Sequence, residues 1–315
     1  MQNTVVVAEQ DNLITQDLEP PVHPMRCLSV THTSIYRYAR PVTFGPHRLM
    51  FRPRDSHDLR LVETALSITP HASTRWYHDV FGNSIAVAEF DQAAETLRFE
   101  SKISVEPYSL EDPEFQLEDY ARSYPFSYPI SEMPDLGRCI ERHCPDPDHL
   151  VDAWAKRFIP GSNAETHKIL RDMTSAIKSD FAYSRRYAVG TQNPTETLTT
   201  GGGSCRDLAL LMMEAARTMG FAARFVSGYL YDPALEGAGD GVVGAGETHA
   251  WVQIYLPGAG WVEYDPTNGV VGGPNLIRVA VARDPSQAMP LTGTYFGAAD
   301  DFIDLSVEVT VTATE

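Results

Sequence analysis

The stretch "TTGGGSCRDLALLMMEAARTMG", Thr199 to Gly220, sets one cysteine between a glycine run and an apolar helical pattern. Leu208, Leu211, Met212, Ala215 and Met219 recur at the spacing of one helix face. Ser204 is a good N-cap just ahead of that run, and Gly220 a good stop. A cysteine kept for packing belongs within the apolar pattern, yet Cys205 falls in the first turn. There, unpaired backbone N–H groups and the helix dipole favour an anion, and a thiolate is one. The stretch therefore marks Cys205 as a candidate nucleophile.

The composition is that of a globular protein large enough for two cores: 315 residues, 43% hydrophobic and 21% charged. A formal net charge of −17, with no basic run, argues against nucleic acid or an anionic membrane as partner. No stretch reaches the apolar length of a membrane span, and the N-terminus lacks the form of a secretory signal. Four cysteines without a pairing pattern do not make a disulfide scaffold, so a reducing cytoplasm is the expected compartment.

Along the chain, residues 1–25 are polar and acidic, contain Pro20-Pro21, and read as a disordered tail. Residues 26–108 carry short alternating runs such as "LSVTHTSIYRY", "LVETALSITP" and "LRFESKISVEPY", separated by turn residues, which predicts an antiparallel β-sandwich. "VFGNSIAV" holds a hairpin-type turn at Gly82-Asn83. A Pro- and Tyr-rich linker is expected over 109–134. From 135 to 315 helices come first, then strands, and "FIDLSVEVTVTAT" closes as a strand with Ile303, Leu305, Val307, Val309 and Val311 on one face. The glycine-rich "EGAGDGVVGAGE" is a loop.

A nucleophilic cysteine needs a base, and the base needs an orienting group. His249 in "GETHAWVQIYLP" shares a strand face with Trp251, Gln253 and Tyr255, and Asp265 ends the following strand, "GWVEYD". Whether the two can meet depends on the hairpin register. In an antiparallel pair, opposed residue numbers have a constant sum. At 514 His249 would face Asp265; at 516, given by a three-residue turn at Pro257–Ala259, they would be diagonal neighbours about 7–8 Å apart. A sum of 517, from a four-residue turn, would put them on opposite faces. An even sum, or a bulge that restores the face, is expected.

The fragments GSCRD, THAW and GWVEYDPTNG, in that order and context, resemble the transglutaminase-like superfamily, whose core is papain-like. "YRYARPVTFGPHRLMFRPRD", "RWYHDVFGN" and "FVSGYL" are similar to its bacterial branch with an N-terminal β-domain. The resemblance implies an α+β fold: an antiparallel β-sandwich followed by a transglutaminase-like catalytic core. It implies Cys205 as nucleophile, His249 as general base and acid, and Asp265 as the orienting residue. The Cys205 backbone N–H and the Gln192 side chain are the candidate oxyanion donors. The chemistry implied is acyl transfer on peptide or glutamine-type amides through a thioester, to water or an amine. The resemblance also points to ATP-grasp-like and helical protein partners in peptide modification. No metal or other cofactor is expected, since no acidic cluster like the calcium sites of the animal enzymes is present.

Each residue has a plainer reading. Cysteine is often buried for packing, His249 could be structural, and Asp265 could simply form the turn before Pro266. Cys139, His143 and Cys144 lack a second ligand pair at zinc spacing and read as structural. Asp207 reads as an acidic first-turn residue, and Tyr36, Tyr38, Trp76 and Tyr77 as sandwich aromatics. The other functional readings are a non-catalytic peptide-binding module and an assembly partner in a peptide-modification system.

Overall fold

A computed structural model describes residues 26–108, 117–161, 164–186, 188–233 and 246–314. The expected tail, part of the linker and most of the glycine-rich loop lie outside the described residues. The strands of the first unit are β1 (Cys27–Phe44), β2 (His47–Leu49), β3 (Leu59–Thr69), β4 (Ala72–His78), β5 (Ser84–Phe90) and β6 (Ala94–Pro107). Two-residue strands β7 (Ser123–Tyr124), β8 (Ala164–Glu165), β9 (Ala182–Tyr183) and β10 (Gly202–Gly203) accompany helices α1 (Met133–Ile140), α2 (Leu150–Lys156), α3 (Thr166–Asp180), α4 (Pro194–Thr200) and α5 (Cys205–Thr218). Then come β11 (Ala223–Leu230), β12 (His249–Leu256), β13 (Gly260–Asp265), β14 (Val270–Val271) and β15 (Leu276–Ala282). The chain ends with β16 (Leu291–Thr292), β17 (Tyr295–Phe296) and β18 (Phe302–Thr314). No helix among the described residues is long and apolar enough to cross a membrane.

The first unit is an antiparallel sandwich. One sheet runs β17-β1-β6-β3 with β18 also on β1, and the other runs β16-β2-β5-β4. Alternate residues turn inward between them, where Tyr38, Phe44, Leu49, Phe51, Leu97 and Phe99 form an aromatic-rich core. Trp76 and Tyr77 lie instead on the exposed edge strand β4.

The second unit lays helices on an antiparallel sheet of order β14-β13-β12-β11-β15. Helix α5 packs on β11 and β12 and against α2, α3 and α4. It is buried nearly all round, Leu210, Met213 and Ala216 included, rather than along the single stripe its periodicity predicts. Even Glu214 is fully buried. It pairs with Arg217 (2.8 Å) and accepts the N–H groups of His143 and Cys144. The glycine run before the helix also has a packing reason. A Cβ on Gly202 would lie 2.4 Å from the Ala182 carbonyl of the strand beside it.

The final strand, expected within 135–315, does not join the sheet of the second unit: β18 pairs with β1 from Cys27↔Thr314 to Tyr38↔Phe302, so the chain returns to the first unit. The described part of the expected linker, 117–134, is bonded to the second unit. Tyr128 Oη donates to the Tyr255 carbonyl (2.9 Å) and accepts from the Ala222 N–H (2.9 Å).

The two units share a core in which Leu28, Val30, Ile103 and Val105 meet Tyr229, Ile277 and Val279. Polar bonds fix its orientation. His32 Nδ1 bonds Tyr229 Oη (2.9 Å), and Arg278 reaches both carboxylate oxygens of Asp58 (3.1 Å each). The hairpin-turn residue Asn83 pairs with both backbone groups of Val281, at 2.7 and 2.9 Å, as an added strand residue would. Asn83→Ala leaves that N–H and carbonyl buried and unpaired, so a loss of about 2–4 kcal/mol is expected in urea unfolding. A loss below about 0.5 kcal/mol would contradict this role for the turn.

Candidate active site

Cys205 opens α5 beneath a capping cluster. The Ser204 N–H and Oγ both donate to Asp207 Oδ2 (2.9 and 2.7 Å). Arg186 grips the same carboxylate through Nε (3.0 Å) and Nη2 (3.1 Å), and the Gln192 N–H donates to it (2.7 Å). Burial works to raise the Asp207 pKa, but Arg186 and these hydrogen bonds outweigh it and hold the carboxyl below its usual range. Asp207 thus ties Arg186 and Gln192 to the helix start, a larger role than a first-turn acid. The only sequence signal for it was the S-x-x-D spacing from Ser204.

His249 and Asp265 come together through the hairpin. Leu256 pairs with Gly260 and Val252 with Tyr264, a constant sum of 516, across the three-residue turn 257–259. Asp265 therefore follows the strand to the position opposite Trp251, diagonal to His249 on the same face. His249 Nε2 lies 2.9 Å from Asp265 Oδ2, and both side chains are buried. A carboxylate only accepts, so Nε2 carries a proton toward Asp265, and Nδ1 is the nitrogen left to exchange a proton at the cavity. Asp265 also accepts from the Thr267 N–H (3.0 Å) and Asn268 Nδ2 (2.8 Å), which fix its orientation.

Nδ1 of His249 is buried with no hydrogen-bond partner of good geometry. The neighbour that acts on the ring is the Cys205 thiol. Burial alone would lower the His249 pKa. The Asp265 charge and hydrogen bond, helped by Cys205, overcome it, and the pKa is raised. Burial would raise that of Asp265, but His249 and Asn268 hold it down. The indole of Trp251 stacks beside the imidazole, with centroids 5.8 Å apart and planes at 28°. Gly228, the register partner of His249 on β11, gives that indole room. A Cβ there would lie 2.7 Å from the Trp251 ring and 2.1 Å from the Ile277 carbonyl.

Cys205 and His249 line a cavity of about 420 Å³ together with Tyr183, Arg186, Leu305 and Val307. Parallel pairing of β9 with β10 sets Tyr183 beside Gly203. Burial, then the nearby Cys205 charge, pushes its phenol up to about 12. Gln192 is placed otherwise than expected. Its side-chain Oε1 lies near Gly203 and 3.5 Å from Thr197 Oγ1, and it does not line the cavity. His143 stands under the guanidinium of Arg283 (2.7 Å), Cys139 is buried, and Cys144 borders the cavity. No group of three or more side chains suited to a metal ion occurs among the described residues.

Two family profiles match this chain. Residues 28–106 match the bacterial transglutaminase-like N-terminal region, and residues 152–266 the transglutaminase-like superfamily. The Mycobacterium tuberculosis protein Rv2569c is 30% identical over 294 residues, covering 89% of this chain and 91% of its own. The chain belongs to the transglutaminase-like superfamily. ML0607 of Mycobacterium leprae is 26% identical over 287 residues, 90% of this chain and 98% of its own. Among solved structures, the "Putative Cysteine Protease" of Cytophaga hutchinsonii superposes with a TM-score of 0.69 at 18% identity, over 93% of each chain. That likeness shows a fold shared through both units.

The charged pair gives a pH signature. The raised His249 pKa adds stability that is whole below its unfolded value of 6.5 and is lost as pH rises through the folded value. The lowered Asp265 pKa adds stability that is whole above 3.8 and is lost as pH falls through the folded value. The cost of His249→Gln in urea unfolding, about 2 kcal/mol or more, should therefore be greatest between pH 3.8 and 6.5 and shrink toward alkaline pH. A cost independent of pH would show the pair to be uncharged. Gly228→Ala should cost about 1–3 kcal/mol by overpacking beside Trp251, read as a lowered Tm.

Proposed function

We propose that this transglutaminase-like protein transfers acyl groups from peptide or glutamine-type amides through a thioester on Cys205. One observation carries the reading. A thiol at a helix N-terminus shares a cavity with a buried imidazole whose far nitrogen is held by a carboxylate.

In this reaction the proton of Cys205 is held by His249 Nδ1, in the charged ring that Asp265 stabilises, as Sγ attacks the amide carbon. The carbonyl oxygen takes up charge and accepts from the Cys205 backbone N–H, which has no intrahelical partner at the first helical position. As the C–N bond breaks, His249 returns the proton to the departing amine, and a thioester remains. Water or a second amine then attacks the thioester carbon, gives its proton to His249, and releases Sγ. Asp265 holds the tautomer and the charged ring throughout. The reading needs no metal or organic cofactor. A cytoplasmic setting and the ATP-grasp-like and helical partners suggested by the resemblance belong to the same proposal.

Intact-mass spectrometry with benzyloxycarbonyl-glutaminyl-glycine and a primary amine tests it. Wild type should show an acyl adduct on Cys205, and Cys205→Ala none. Asp265→Asn should slow turnover by about 100-fold or more, because the tautomer is no longer fixed. A folded Cys205→Ala variant that turns over amides at the wild-type rate would overturn the mechanism and favour a peptide-binding module.

A further inference from the structure

Strand β18 has an apolar stripe that is only half used. Val309 is buried against Tyr229, Ile277 and Val279 of the catalytic sheet. The same stripe runs on through Val307, Leu305 and Ile303, which are 43, 45 and 60% exposed, and Leu305 and Val307 line the cavity that holds Cys205.

Among the described residues, the backbone along this stretch has an unpaired edge. In an antiparallel strand the N–H and C=O of alternate residues point to the same side. The Val309 N–H bonds the Gly246 carbonyl (3.3 Å), away from β1, so residues 307 and 305 also turn their polar groups outward, up to the register shift at Ile303. Among the described residues β18 pairs with β1 alone. Natural sheets blunt such edges with lysine, proline or bulges. From Phe302 to Val307 this outer edge has no lysine or proline, and the one nearby acid, Asp304, points the other way and pairs with Arg37 (2.9 Å). The segment bonded to β18 at Gly246 leads within three residues to His249, so the open edge and the imidazole are tied together.

We infer that the outer edge of β18, from Leu305 to Val307, binds the substrate as an added strand, an extended peptide with apolar side chains beside its reacting amide. The inference rests on the acyl-transfer reading and names its substrate class. Backbone bonds to the odd-numbered residues hold the peptide, and Leu305 and Val307 receive its alternate side chains. The N-terminal sandwich, which supports β18 through β1, thereby becomes part of substrate recognition.

The test compares Cys205 alkylation by an acetylated trileucine vinyl sulfone with alkylation by iodoacetamide, on the full chain. Leu305→Ser/Val307→Ser should lower the ratio of the tripeptide rate to the iodoacetamide rate by about tenfold or more. N-methylation of the central amide of the reagent should slow it on wild type to a similar extent, a readout that does not depend on how the variant folds. If Cys205 stays reactive and neither change alters the ratio of the two rates, the inference fails while the catalytic reading stands. If neither reagent labels Cys205 selectively in wild type, the catalytic reading fails and this inference with it. A wild-type dimer in sedimentation that the double variant abolishes would assign the edge to a second copy of the chain and also overturn the inference.

Discussion

The site depends on a hydrogen bond between two buried groups that neither strand could hold alone. His249 and Asp265 are 16 residues apart, and only the even register of the β12–β13 hairpin puts them on one face. A one-residue slip would send the carboxylate to the opposite face and leave the imidazole buried without it. The turn at 257–259 is therefore as much a part of the site as the side chains. Around it, Asn268 and the Thr267 N–H hold Asp265, Trp251 stacks on the ring, and Gly228 leaves room for the indole. The outcome is an imidazole with one nitrogen fixed and the other facing the thiol.

The thiol is positioned by a different set of forces. Helix α5 is buried on nearly every side, so it cannot rotate or slide without breaking the core. Its N-terminus is held by the cluster of Asp207, Ser204 and Arg186, and its C-terminal half by the fully buried Glu214–Arg217 pair. The helix and the sheet thus bring Cys205 and His249 together from independently fixed elements. The sandwich adds a third support. Asn83, Asp58 and His32 dock it on β11, the strand next to that of His249, and on β15 beyond it.

Much of this could be read from local sequence. The Ser204 cap, the period of α5 and the Gly220 stop fix where the helix starts, and with it the thiol's place. The turn "PGAG" narrowed the register to a few values, of which 516 is the one found. What escaped was set by distant partners. The alternation of Ile303 to Val311 specifies a strand with one apolar face but not which sheet takes it, and β1, nearly the whole chain away, does. Periodicity shows α5 as amphipathic because it cannot anticipate that Glu214 and Arg217 will satisfy each other inside the core. The Gln192 side chain follows its contacts with Thr197 and Gly203, which no spacing encodes. Asp207 carries a short-range signal, but its partner Arg186 lies 21 residues upstream.

The central claim is that the helix start and the His249–Asp265 pair make one cysteine of four a nucleophile. Its most direct test is the rate of iodoacetamide alkylation at each of Cys27, Cys139, Cys144 and Cys205, followed by peptide mass spectrometry at neutral pH. Cys205, although only 7% exposed, should react fastest by about tenfold or more, and His249→Ala should remove that advantage. Cys205 reacting no faster than the partly exposed Cys27, or retaining its advantage without His249, would contradict the account.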